Sequence, residues 1–434
     1  MNGKIAPLAC VPGAVAIMLA LTALPASGRA EPPKGSAVTQ PTNNNDTTEI
    51  RVTWQDIVKL VAGHPRIAVG NQKTAAARAA VDAAGAVPNP RLEANTAYGQ
   101  ARDSSASRIE WGLGLSIPLG WIAQRGAKIE AADAEAKVAD AESKALRRDV
   151  LLQLRVLFWN LVHNQERVTA LAELSSQTAT LAKTVKRRVE RGESRPVEAT
   201  RVEIEAEKVA GELALARSTM KTRRIQLGLW LGVRKGQKLT AVADLAKLPQ
   251  PISATRARSQ TLSSHPAVVA AQARVQALTA AVSIERRARI PGVSIKAFTN
   301  HELDRTAYGV GLAVDLPFWN WNSGNIRRAG ASLAAGRSQL EVDRIEIESI
   351  VVEAQAACQA GVRLAIRYRD KIQPRSTSAA QTIERTYELG EATLLEVIDA
   401  RRTLLETRTQ FLATLAQAQN DCSRLAVLVG EDLP

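Results

Sequence analysis

Near one end of the chain the sequence reads YELGEATLLEVIDARRTLLE, and in it Glu396 and Asp399 lie three residues apart. On a helix that spacing places both carboxylates on one face, where they would attract cations and repel anions. Each also has a local use. Thr393 and Glu396 have the spacing of a capping box, and Asp399 can pair with Arg402 or with a neighbouring chain. A second candidate for chemistry is the cysteine pair Cys358 and Cys422, which is symmetric about Gly390. An antiparallel hairpin turning at Gly390 brings the two to the same height. In an oxidising compartment they could form a disulfide if the two helices face each other there. The four histidines give no metal site. His64 and His265 both precede proline and occupy equivalent places, which is a structural signature; His163 is mid-helix and His301 lies near a hairpin tip. No HExxH, CxxC, Walker or GxSxG pattern occurs, and three methionines cannot build a soft-metal relay. The expectation is no catalytic residue, no resident metal, no cofactor and no enzyme.

The elements that position these residues come in two copies. Residues 308–325, YGVGLAVDLPFWNWNSGN, alternate apolar Tyr308, Val310, Leu312, Val314 and Leu316 with Gly309, Gly311, Ala313 and Asp315. That is a strand with two unlike faces, and Pro317 stops it. Residues 108–126 repeat the device, with Ile109, Trp111, Leu113, Leu115 and Ile117 alternating with small or polar residues up to Pro118. Aligning the prolines at an offset of about 200 residues also matches His64-Pro65 with His265-Pro266 and Gly192-Glu193 with Gly390-Glu391. The chain is an internal duplication. Its expected parts are a signal peptide at 1–30, a disordered lead-in at 31–50, a first repeat at 51–233, a basic connector at 234–257 and a second repeat at 258–434.

The signal peptide is read from Lys4, the apolar run 8–24, and the small residues after Pro25. Cys10 stands at the start of that run rather than its end, which disfavours a lipoprotein signal. A formal charge of +14 raises nucleic acid as a partner. The basic residues are interleaved with acidic ones along helices, and only 3% of residues are aromatic, so nucleic acid is not expected.

Each half supplies a strand hairpin, with strands of about ten residues, long enough to cross a bilayer when tilted. Trp121, Phe318, Trp319 and Trp321 follow the two strand-ending prolines, where an aromatic belt would meet a membrane interface. Beyond the leader no run of about 20 apolar residues is evident, so a helical span is not expected. Open sheet edges are not tolerated in lipid, so four strands would have to close a barrel with other chains. After each hairpin an Ala-rich helix runs for roughly 100 Å, turns at Gly192 or Gly390, and returns, with the texture of a coiled coil. Pro374 interrupts the outgoing helix of the second half, where the first half has Ser176; a kink is expected, in the helix pair that would move. The fold class is mainly α with transmembrane β.

Strand hairpins, very long helical hairpins, a twofold repeat and a signal peptide together resemble the TolC family of outer-membrane efflux channels. The segments LPFWNWNSGNIRRA and PNPRLEA are most similar to outer-membrane subunits of cobalt-zinc-cadmium type resistance systems. The resemblance implies a homotrimer in outer-membrane lipid, sharing a twelve-stranded barrel continued by a helical tunnel across the periplasm. It also implies a periplasmic adaptor and a proton-driven inner-membrane pump of the resistance-nodulation-division class. In relatives the far turn forms the periplasmic mouth, with a tyrosine three residues before the glycine and two acids on the return helix; those positions are Tyr387, Glu396 and Asp399 here. In a trimer the acids would form two stacked rings. Where drug-exporting relatives carry an arginine two residues after the glycine, this chain has Ala392. A channel serving drugs or exported proteins, and a secreted coiled-coil scaffold without a pore, are the rival readings.

Overall fold

The structure, a computed structural model, describes residues 49–100, 107–233, 237–250, 261 and 264–430. The expected signal peptide with Cys10, all but the end of the lead-in, and the first hairpin tip lie outside the described residues. The lead-in is shorter than expected at its far end: Glu49 and Ile50 already belong to strand β1 (Glu49–Val52).

Local sequence sets most helix ends. Helix α1 (Trp54–Leu60) starts at a capping box of Thr53 and Asp56. Helices α2 (Pro65–Gly85) and α5 (Pro266–Arg287) start alike: the His64 and His265 imidazoles accept from the backbone N–H two residues on, at 3.2 and 3.3 Å, with proline in the first turn. That explains the His-Pro pairs. Between them, α3 (Trp121–Glu190) runs 70 residues, about 105 Å at 1.5 Å per residue, and α4 (Pro196–Leu231) returns along it. In the second half α6 (Ser323–Arg367) continues through a π-helical turn (Tyr368–Ile372) into α7 (Gln373–Glu388), and α8 (Leu394–Val429) returns.

Helices α2 and α4 both pack along α3 and meet end to end, with His64 stacked on Trp230 at 5.5 Å. At that joint the connector is not a plain linker. Its residues Lys238–Ala241 form β4, which pairs in parallel with β1. Beneath them lies the largest core cluster, including Trp54, Ile57, Leu154, Phe158, Leu161, Leu227, Leu239 and Leu415. Arg155 is buried there with its guanidinium 4.5 Å from the Trp54 ring and 5.2 Å from that of Trp159. Burial lowers its pKa to about 10, so it stays charged and the ring faces stabilise it. One correction concerns α5, which by length and composition is long and apolar enough to cross a membrane. Its alanines at 270, 271, 273, 277 and 280 are instead buried, on a helix packed against α3 and α6.

Strands β2 (Arg91–Gln100), β3 (Ser107–Pro118), β5 (Gly292–His301) and β6 (Thr306–Asp315) form one antiparallel sheet in that order. The two repeats join through β3 and β5, with Trp111 opposite His301 and Pro118 opposite Ser294. The register puts Leu92, Leu115, Ile117, Ile295, Val310 and Leu312 on one face, where Val310 is 84% and Leu312 73% exposed. The opposite face carries Glu93, Asn95, Lys296 and Asn300, with the Phe298 ring over Gly309, among glycines. Gly112 leaves room there for Asn95 and Asn300, since a Cβ would come within 2.5 and 2.6 Å of their side-chain oxygens and push them aside.

Cys358 and Cys422 are joined by a disulfide between α6 and α8, with Cα atoms 4.7 Å apart, inside a cluster of Val351, Val362, Ala418 and Leu425. Replacing both by serine is expected to lower stability by about 2–4 kcal/mol, because the bridge closes a long loop of the unfolded chain. Thermal unfolding of oxidised and reduced protein measures this; equal midpoints would show that the bridge does not form.

His265 adds a pH dependence. Burial, with Arg148 nearby, pushes its imidazole down to about 4, below the unfolded value near 6.5. A depressed histidine favours folding when neutral. Its contribution is therefore full above about pH 6.5 and falls away as pH drops toward 4. His265→Asn, which can still cap, is expected to flatten the fall in unfolding midpoint between about pH 6.5 and 5.

Candidate functional site

Both long helical hairpins turn through a left-handed glycine, Gly192 at φ 75° and Gly390 at φ 82°. The bonds around them are the same: Gly192 N–H donates to Val189 and Glu193 to Arg188, while Gly390 donates to Tyr387 and Glu391 to Thr386. This pattern satisfies helix-end carbonyls and needs a residue without Cβ at the turn.

Beyond Gly390, Thr393 and Glu396 form a reciprocal capping box, with the Thr393 N–H and hydroxyl donating to the Glu396 carboxylate at 2.6 and 2.9 Å. Those bonds hold the Glu396 carboxyl below its usual range, so it is charged while remaining exposed. Capping and exposure coexist. Asp399, one turn further, is exposed too. Arg402, the expected partner of Asp399, gives its guanidinium to Glu205 of α4 instead, in a two-pronged bridge whose Nε contact is 2.7 Å. Among the described residues neither acid forms a salt bridge, although Asp399 still acts electrostatically on Arg402, and both are exposed on one stripe of α8.

Tyr387 is half-buried against Val185, Val202, Leu394 and Ile398, with the Arg188 guanidinium 5.3 Å from its ring. It knits α3, α4, α7 and α8 together at the tip.

Sequence reasoning missed the arginines of α8 as tethers. Arg401 bonds Glu384 of α7 at 2.6 Å and the Gln177 carbonyl of α3 at 3.2 Å. Arg408 bonds Glu173 of α3 at 2.8 Å. With Arg402, these side chains tie the return helix to the other three helices of the tip. The pair Arg401-Arg402 just after Asp399 was the only available sign, since its partners lie about 20 to 200 residues away in sequence.

The expected kink at Pro374 takes a specific form. Without an N–H, and with its ring against the carbonyl four residues back, proline cannot continue a regular α-turn, and residues 368–372 widen into a π-helical turn instead. Tyr368 of that turn stacks on Phe411 of α8 at 6.3 Å. The corresponding stretch of α3 is uninterrupted.

At the other end of the helices, Pro118 is the last residue of β3 and Pro317 lies just past β6. Trp121 opens α3; Phe318 and Trp319 meet edge to face at 6.1 Å, and Phe318, Trp319 and Trp321 are exposed, Trp319 to 95%. Leu119 N–H bonds the Val293 carbonyl at 2.7 Å, which fastens the first junction to the start of β5. Among the described residues no cluster of three or more His, Cys, Asp or Glu side chains could hold a metal ion.

Known proteins share this arrangement. The family model described as "Outer membrane efflux protein" matches residues 57–233 and again 257–431, once per repeat. The cobalt-zinc-cadmium resistance protein CzcC of Cupriavidus metallidurans is 26% identical over 346 residues, which cover 79% of this chain and 81% of CzcC. The pyoverdine export outer membrane protein OpmQ of Pseudomonas putida is 28% identical over 211 residues, 46% of this chain and 44% of OpmQ. Among solved structures, that of CusC, described for its folding and transmembrane channel formation, superposes with a TM-score of 0.75 at 17% identity, over 91% of this chain and 96% of that one.

The Arg402 bridge holds the Glu205 carboxyl below its usual range, so its contribution is present above the ordinary carboxylate range and is lost as pH falls through it. Arg402→Gln is expected to lower stability by only about 1 kcal/mol, because the arginine is half exposed, while speeding amide exchange locally over residues 394–402. Unchanged exchange there would show that the bridge does not hold the tip.

Proposed function

Because the chain belongs to the outer membrane efflux protein family, we propose that three copies assemble around a shared pore, each giving its four strands to a twelve-stranded barrel and its long hairpins to a periplasmic tunnel. The protein is an outer-membrane efflux channel and not a member of an enzyme family. One observation carries the reading of a barrel shared between copies, with the family supplying the number three: a sheet with an exposed apolar face, a more polar opposite face, and two outer edges, β2 and β6, without strand partners among the described residues. Four strands are too few to close on themselves, and the smallest membrane barrels need about eight. Residues 1–30 would direct export, and 51–233 and 258–434 would be the two repeats, linked by 234–257.

The tip around Gly192 and Gly390 is then the periplasmic mouth. Three copies of Glu396 and Asp399 would ring it with carboxylates, which concentrate cations ahead of the tunnel. Together with the similarity to CzcC across most of both chains, this favours heavy-metal cations as the exported substrate. A periplasmic adaptor and a resistance-nodulation-division pump would deliver them. The similarity to OpmQ over about half of each chain supports a second reading, export of a larger organic substrate. A mouth without metal ligands is compatible with either, since selection can occur upstream in the pump.

Single-channel recording in a planar bilayer tests the assignment. Wild-type protein is expected to give small cation-selective openings, and Glu396→Gln with Asp399→Asn is expected to lose most of that selectivity and any divalent-ion block. Openings unchanged by the double substitution would keep the channel and remove these residues from its mouth. Failure of the protein to enter the bilayer would return the scaffold reading.

A further inference from the structure

Where the strands give way to helices, exposed cations crowd one level of the molecule. Arg125 and Lys128 stand in the opening turns of α3, and Arg286, Arg287 and Arg289 at the end of α5. Arg327 and Arg328 follow in the opening turns of α6. Lys128 is only about 10 Å along its helix from Trp121. Within the chain these side chains find carbonyl oxygens rather than carboxylates. Arg125 donates to Gly85 at 3.0 Å, Arg287 to Ala123 at 3.2 Å and Arg289 to Trp321 at 2.9 Å. None of the seven has an ion-pair partner among the described residues. Farther down the same helices the pattern reverses, with Lys137 on Asp133, Lys144 on Asp140 and Arg274 on Glu142.

Acids are present at this level but do not neutralise the group. Glu285 accepts from the Asn322 amide at 2.7 Å, and Asp315 lines a groove of roughly 460 Å³ together with Trp121, Lys128, Arg289 and Pro317. The aromatic side chains share the level: the Arg125 guanidinium lies 5.8 Å from the Trp121 ring, and Arg289 holds the backbone of Trp321. Aromatic rings beside uncompensated guanidinium groups match the layering of a lipid interface, in which phosphate lies just outside the acyl boundary. Guanidinium forks are suited to phosphate oxygens.

We propose that this belt binds the phosphate groups of anionic phospholipid in the periplasmic leaflet, fixing the depth of the channel at the junction of barrel and tunnel. The inference rests on the reading of the sheet as part of a membrane barrel.

The test uses the full-length purified protein in detergent, with thermal unfolding followed as phosphatidylglycerol, phosphatidylcholine or soluble glycerol phosphate is added. Phosphatidylglycerol is expected to raise the midpoint by several degrees, and the other two to have little effect. Lys128→Gln with Arg286→Gln, Arg327→Gln and Arg328→Gln, none of which has a side-chain hydrogen bond or ion pair among the described residues, should abolish that shift. A variant with lysine at the three arginine positions keeps the charge and should retain most of it. An equal response to phosphatidylcholine, an equal response to soluble phosphate, or a shift that survives the neutral variant would overturn the proposal. A loss of trimer stability in the neutral variant without any lipid selectivity would assign the cations to a neighbouring copy's carboxylates, which also overturns it. Insertion into phosphatidylcholine vesicles is measured in parallel. Failure of the wild type to insert would overturn the membrane reading and this inference together, whereas insertion without selectivity for phosphatidylglycerol overturns this inference alone.

Discussion

Unpaired backbone at the two outer edges of the sheet is the constraint on which the architecture depends. Along β2 and β6 a row of N–H and C=O groups has no strand partner among the described residues, on a sheet with one aliphatic and aromatic face. Water could satisfy those edges but would not favour that face, and lipid favours the face but cannot satisfy the edges. In the proposed trimer, other copies of the sheet would meet both demands. The duplication serves this end, since joining β3 of one repeat to β5 of the other turns two marginal hairpins into one continuous sheet.

Helices as long as α3 cannot bury themselves in a single compact core, and most of the stabilising apolar burial is concentrated at mid-length. There α2 and α4 meet end to end, β1 pairs with β4, and Phe158, Leu154 and Leu161 are fully buried. Each such side chain contributes about 1.5–3 kcal/mol when removed from water. Elsewhere along the helices small residues, chiefly alanine, allow close approach with little side-chain entropy to lose. The disulfide adds a covalent tie between α6 and α8 on the way to the tip.

The tip is held differently. Its apolar cluster is small, and α8 is attached mainly by Arg401, Arg402 and Arg408, through partly exposed pairs that are individually weak. The π-helical turn before Pro374 lies between the disulfide and this tip, on one of the two outgoing helices only. The middle of the helices is thus firmly packed and their end lightly tethered, with a local irregularity between them.

Much of this was determined by sequence alone, because it depends on local chemistry. Proline placement stops the strands, His-Pro pairs and Thr393 with Glu396 begin helices, and Gly192 and Gly390 turn them. Period-2 alternation fixes which residues share a sheet face, and repetition of these signals reveals the duplication. What required the tertiary structure were the long-range pairings: β3 against β5, connector strand β4 against β1, and the choice of Glu205 over Asp399 as the partner of Arg402. Local spacing favoured Asp399, three residues away on the same helix. The return helix instead brings Glu205 of α4 within reach, where two parallel contacts outweigh one-turn proximity. The cysteines show the same division. Their symmetry about Gly390 sets their common height, but only the packed rotation of α6 against α8 decides that they face each other.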